Sequence, residues 1–294
     1  MTHRGETCAC LLLIIWVAFT PVTRAGAQQA VQLTAEPGME YHPRWSPDGE
    51  RLAFTANRGG ELLLVTMRPD GSDRRVILTG MPGDLHLTWC PDGERIIFDS
   101  RPEGSFSELY LLDLATGSVR QLTGDESGGF HPACSPVTER IVYSDGGDLH
   151  LLVLNETRSM PLTTGRPGAI HPSFSPDGRS VVYTSERNGN PDLFLIPVAG
   201  GEPRRLTDDR GADDWAVFAP DGKRLIFNSD RTGNRELWIL ELSSGDLTLL
   251  TDGPGNSWQA DWSPDGEQIA FVSDREGSLD IWLCDAPKRE QIRF

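Results

Sequence analysis

Apolar runs of one character recur along the chain: RLAFT, RIIFD, RIVYS, SVVYT, RLIFN and QIAFV. Each is rich in β-branched and aromatic residues with little polar interruption, which predicts a strand covered on both faces. Ahead of each run stands a proline turn, and the prolines are Pro47, Pro91, Pro136, Pro176, Pro220 and Pro264, spaced 44, 45, 40, 44 and 44 residues apart. Most of these turns read Pro-Asp-Gly, where proline presets φ and glycine accepts a positive one. A short stretch ending at Trp45, Trp89, Cys134, Phe174, Phe218 or Trp262 precedes the turn and is read as strand a, with the apolar run as strand b. A polar turn then leads to an acidic residue followed by Leu or Ile (Glu61, Glu108, Asp148, Asp192, Glu236, Asp280), opening strand c. A fourth strand, d, ends in Leu-Thr. Four strands in a fixed period of 40 to 45 residues are the content of a propeller blade.

The Leu-Thr pairs decide how the chain closes. They begin at Leu33, Leu78, Leu122, Leu162, Leu206 and Leu250, so the first lies before any strand a, and none follows the last strand c. The wiring is therefore d, five abcd units, then abc. The expected fold is all-β: a six-bladed β-propeller of four-stranded antiparallel blades, closed by an N-terminal strand (VQLT) that completes the last blade. Such a seam removes the loose sheet edge of an open stack. The C-terminal EQIRF, residues 290–294, is the competitor for that outer place. The third unit departs most, with Val137-Thr138 in place of Asp-Gly and a shortened SDGGDL, so its b–c turn is expected to differ.

With its Ser-Pro-Asp-Gly turn, its Ser-x-Arg after strand b, its acidic-Leu opener and its closing Leu-Thr, the repeat resembles the propeller of the TolB family, over residues 28–294. The resemblance implies an exported six-bladed propeller and association with a peptidoglycan-bound lipoprotein. It concerns the propeller domain only: after the expected processing, residues 28–30 alone precede the first strand, so the α/β domain and N-terminal partner-binding segment of a full TolB are expected to be missing.

Charge and cysteine narrow the class. The 294 residues carry 27 Lys+Arg against 43 Asp+Glu, a formal charge of −16. That excludes nucleic acid and anionic membrane surfaces as natural partners and suits a self-repelling monomer. Residues 11–19, LLLIIWVAF, are too short an apolar stretch to span a bilayer. With the small-x-small site at Ala25-Gly26-Ala27, they predict a signal peptide over residues 1–27, cleaved before Gln28, and an exported, periplasmic or extracellular protein without a membrane span after cleavage. Cys90, Cys134 and Cys284 would remain, an odd number without CxxC spacing, and read as buried small hydrophobes.

Three residues before each strand-a terminus stand His42, His86, His131, His171, Trp215 and Gln259. Equivalent positions of a closed propeller form a ring about its axis. Four His and a Gln there (His42, His86, His131, His171, Gln259) are a candidate set of ligands for a divalent transition metal, as in certain pectate-degrading propeller lyases. The competing reading is a polar channel lining, because ligands must approach to about 2.0–2.2 Å and blades hold their residues apart. A second series, Arg58, Arg101, Arg187, Arg231 and Arg275, follows strand b and is expected to pair with acids within or between blades, an anion-binding rim being the alternative. No G-x-S-x-G, no H-E-x-x-H and no phosphate-cradling glycine loop occurs, so no catalytic residue and no obligatory cofactor is assigned. The chain reads as a protein-binding scaffold of the cell envelope, with Trp215 and Trp258 as candidate partner-binding aromatics. A metal-dependent polysaccharide lyase or hydrolase with a His-lined channel is the alternative.

Overall fold

The computed structural model describes residues 23–24 and 29–288, apart from 103–104, 125–127, 155, 157 and 166–167. Six four-stranded antiparallel units follow one another as blades. Their innermost strands are Met39–Trp45, Leu87–Trp89, Phe130–Cys134, Ile170–Phe174, Asp213–Phe218 and Ser257–Trp262. The chain closes as the Leu-Thr spacing predicts: Val31–Gln32 pairs antiparallel with Asp280–Asp285 and becomes the outer strand of blade 6. A further two-residue strand, Thr23–Arg24, lies parallel to Leu247–Leu249 on the outer edge of blade 5. The rest of the expected signal peptide, and the EQIRF segment, lie outside the described residues.

Strand b is apolar throughout because its two faces serve two different neighbours. In blade 1, Leu52, Phe54 and Ala56 join the cluster shared with blade 6, while the intervening Ala53 joins the one shared with blade 2. In blade 6, Ile269 and Phe271 face blade 5, and Ala270 and Val272 face blade 1. An apolar cluster of this kind fills each of the six blade junctions. With side chains alternating across a pleat, a strand between two neighbours has no polar face to show.

The acidic residue of strand c and the Thr of Leu-Thr form a clamp. Thr123, Thr163 and Thr34 donate through Oγ1 to Glu108, Asp148 and Asp280 at 2.5, 2.8 and 3.1 Å, and Thr251 does the same to Glu236. The same hydroxyl oxygens accept backbone N–H groups of strand c from Leu109, Leu149, Ile281 and Leu237 at 2.8–2.9 Å. In blade 6 the clamp joins residue 34 to residue 280 and so locks the seam.

The proline turns form a continuous rim. In blade 1 the Gly49 N–H donates to the Ser46 carbonyl at 2.9 Å with φ of 75°, and a Cβ there would lie 3.6 Å from Pro264 of blade 6. The positive φ of the turn, not crowding against the neighbouring blade, is what calls for glycine here. The b–c turn of blade 3 is altered as its sequence suggests: having no arginine, it closes by Asp145 N–H to the Asp148 carbonyl at 3.1 Å.

Candidate functional site

Every innermost strand but that of blade 2 breaks its ladder at the position the His series marks. Register shifts fall between Tyr41 and Arg44, Phe130 and Ala133, Ile170 and Ser173, Asp214 and Val217, and Trp258 and Asp261. At each break the ring residue has a left-handed backbone, with φ from 50° to 55° at His42, His131, His171, Trp215 and Gln259. In blade 2 that conformation moves back to Leu85, whose φ is 52°, and His86 follows it. Bulges at non-glycine residues with positive φ carry strain that surrounding structure must hold. The last residues of the preceding strand b do so in places: Thr55 donates to the Leu85 carbonyl at 2.7 Å, and Asn228 Oδ1 accepts the Gln259 N–H at 3.1 Å.

The bulges turn their side chains toward the axis and bring the predicted series together. Ring centroids of His42 and His86, His86 and His131, and His131 and His171 lie 4.3, 4.1 and 4.2 Å apart. Trp215 stacks on His171 at 3.7 Å and reaches His42, His131 and His86 at 5.3, 5.3 and 5.6 Å, so its indole stands among all four imidazoles. Gln259 completes the circuit differently, its Oε1 accepting the backbone N–H of His42 at 3.1 Å. His86 Nδ1 lies 3.0 Å from Asp99, whereas Nδ1 of His42, His131 and His171 is buried without a hydrogen-bond partner. Burial first, then mutual repulsion and the nearby Arg44, hold these three imidazoles well below the usual histidine range. These three are neutral at physiological pH and give the ring a polar surface.

Two residues further along each strand stand Arg44, Thr88, Ala133, Ser173, Val217 and Asp261, which continue the channel wall. The Asp261 carboxylate accepts the Trp45 N–H at 2.8 Å, and burial pushes its pKa up to about 6 despite the attraction of Arg44. The same burial lowers that of Arg44. Together the two tiers bound a cavity of about 350 Å³ to which all six blades contribute, reaching as far as the rim prolines. The size is at the lower end for pockets that take small ligands or inserted side chains.

Other expected residues are placed elsewhere. Trp258 is half-buried and packs against the junction of blades 6 and 1. The arginine series works within blades: Arg231 holds Asp213 through two 2.8 Å contacts, Arg58 pairs with Glu40, Arg187 lies 3.9 Å over Phe194, and Arg275 lies 4.7 Å over Trp282. The hydroxyls of Ser46, Ser175 and Ser263 are engaged with turn aspartates at 2.5–2.6 Å. Sequence reasoning missed Arg44, Asp261 and Asp99. The first two were accessible by stepping two residues on from the ring, since alternate strand residues share a face.

Among the described residues, no group of three or more His, Cys, Asp or Glu stands in a geometry that could hold a metal ion. No helix among them is long and apolar enough to cross a membrane.

The comparisons with known proteins agree on the architecture. The TolB beta propeller domain matches residues 21–164 and 210–293, and the N-terminal beta propeller domain of Tricorn protease matches residues 130–236. No curated protein matches the chain in sequence. Among solved structures it is similar to TolB from Acinetobacter baumannii (20% identity, TM-score 0.64), covering 85% of this chain and 64% of that one. It is also similar to a putative TolB from Agrobacterium tumefaciens (21% identity, TM-score 0.66), over 90% of this chain and 100% of that one. An oligogalacturonate lyase in complex with manganese superimposes with a TM-score of 0.61 at 15% identity, over 92% and 96% of the two chains. The chain thus spans 64% of the length of the Acinetobacter protein, and identities this low speak for the fold.

Proposed function

The chain belongs to the TolB β-propeller family, and from that premise we propose that it is an exported binding module of the cell envelope, freed of residues 1–27 and receiving a partner at the mouth of its central channel. The partner class is an envelope protein, a peptidoglycan-associated lipoprotein being the family's example. The observation that supports this reading is the cavity of about 350 Å³ to which six blades each bring residues. Its floor carries three neutral imidazoles beside Trp215, and its wall carries the opposite charges of Arg44 and Asp261. Such a surface accepts an inserted side chain or chain end without demanding a counter-charge, and Trp215 is a rigid aromatic of the kind that anchors interfaces. Trp258, packed at a blade junction, supports that junction and through it the rim.

A divalent metal, the alternative prompted by the His series, does not fit the side chains as they stand. Gln259 Oε1 accepts the His42 N–H, Trp215 stacks on His171, and no three described His, Cys, Asp or Glu side chains stand in a metal-holding geometry. The test of the binding reading is affinity capture from envelope extracts with the unaltered protein and with Ser173→Trp, which fills the cavity from its wall. Loss of a specific envelope protein from the captured set, at unchanged thermal stability, is the expected result. Identical capture by both proteins overturns it. Elemental analysis of untagged protein is run alongside: stoichiometric Mn, Zn, Fe or Cu that disappears in a His42→Ala, His171→Ala double variant would transfer support to a metal-dependent lyase.

A further inference from the structure

Two of the cysteines that read as unrelated small hydrophobes are in contact. Cys90 of blade 2 and Cys134 of blade 3 lie with their sulfurs 3.2 Å apart, both as free thiols, within the apolar cluster that joins those blades. Both depart from their repeat positions. Where Cys90 stands, the other blades have Ser46, Ser135, Ser175, Ala219 and Ser263; where Cys134 stands, they have Trp45, Trp89, Phe174, Phe218 and Trp262. The two substitutions fall at facing positions of a single junction, and that junction alone lacks the large aromatic. Cys284, by contrast, is buried in blade 6 with its thiol pushed up to about 12.

We propose that Cys90 and Cys134 form an inter-blade disulfide when the folded chain meets a disulfide oxidant, and that this bond staples blade 2 to blade 3 where the junction has lost its aromatic. Closure from 3.2 Å to the bonded length of about 2.0 Å needs a movement of about an ångström. Cys134 borders the central cavity and is half-buried, while Cys90 is buried, so an oxidant meets Cys134 first. The order of events follows. The Cys134 thiolate attacks one sulfur of a low-molecular-weight disulfide, expelling a thiolate and forming a mixed disulfide at Cys134. The Cys90 thiolate then attacks Cys134 Sγ, forming the Cys90–Cys134 bond and expelling the second thiolate. The two leaving thiolates take up the two protons the cysteines gave to solvent, and two electrons pass from the protein sulfurs to the reagent. Hydrogen bonding to Cys90 and then burial hold the Cys134 thiol well above the usual range, which makes the first step slow at neutral pH and faster as pH rises.

The test uses the full chain in its native state with 2-hydroxyethyl disulfide as oxidant, followed by alkylation, proteolysis and mass analysis. The expected product is a peptide pair linked through Cys90 and Cys134, two hydrogen atoms lighter than the reduced pair, with a melting temperature several degrees higher that returns to its starting value in dithiothreitol. Cys90→Ser restores the residue most other blades use at that place. It should leave Cys134 trapped as the mixed disulfide and abolish the thermal gain. A mixed disulfide at Cys134 that persists in the unaltered protein overturns the proposal. So does full alkylation of both cysteines after treatment, or a linked pair that leaves the melting temperature unchanged.

Discussion

Asp261→Asn isolates the electrostatics of the channel wall. In the folded protein the Asp261 carboxyl is pushed up to about 6, chiefly by burial; Arg44 and the N–H groups of Trp45 and Trp262 oppose the shift without cancelling it. Its ordinary value is 3.8. The folded pKa therefore lies above the unfolded one, and between them the native state binds more protons than the unfolded chain. Stability must then fall as pH rises through that window. The full loss across that window is roughly 3 kcal/mol. About half of it falls between pH 5 and pH 8, clear of the isoelectric point near 4.7. The amide of the variant keeps an oxygen for the Trp45 N–H but does not titrate. Urea unfolding of both proteins from pH 5 to pH 8 should show the unaltered protein losing roughly 1 kcal/mol relative to the variant. Asp214, also raised to about 6, is present in both and drops out of the difference. A second variant, Arg44→Met, removes the opposing cation and should enlarge the loss. A difference that stays flat, or that grows in favour of the unaltered protein as pH rises, would show that Arg44 outweighs burial and refute the reasoning.

Two further outcomes test the frame that holds the channel. Thr163→Val removes the donor to Asp148 and the acceptor of the Leu149 N–H while keeping the shape of the side chain. A cost of about 1–3 kcal/mol is expected in thermal or urea unfolding, because the buried Leu149 N–H loses its acceptor. Deleting the chain through residue 34 removes the outer strand of blade 6 and the Thr34–Asp280 clamp. The uncovered edge of Asp280–Asp285 should lower the melting temperature and promote self-association, read by light scattering. A monomeric truncation that melts unchanged would mean that the seam is held elsewhere.

The fold was legible because its signals are local. Pro-Asp-Gly fixes a turn by backbone chemistry, and a run such as RLIFN can only be a strand walled on both sides, so six copies count six blades. The seam was legible from the place of one Leu-Thr pair. The His series located the ring but not its chemistry. Left-handed bulges are ordinarily marked by glycine, and here they fall on His42, His131, His171, Trp215 and Gln259, so nothing in the sequence showed that the Gln259 amide would meet the His42 N–H. One set of contacts between blades follows a rule that repetition hides when each position is compared only with its equivalents. These join residues about one period apart: Trp89 Nε1 donates to the Arg44 carbonyl, Cys134 N–H to Thr88 Oγ1, and Arg95 meets Glu139. Cys90 and Cys134, 44 residues apart, obey the same offset. Taken by column, each is an ordinary small residue; taken one period apart, they are two departures that face each other. In a ring of near-identical units the shared columns build the scaffold. What individualises this chain lies in pairs of neighbouring departures, and the cysteine pair at the junction of blades 2 and 3 is one such pair.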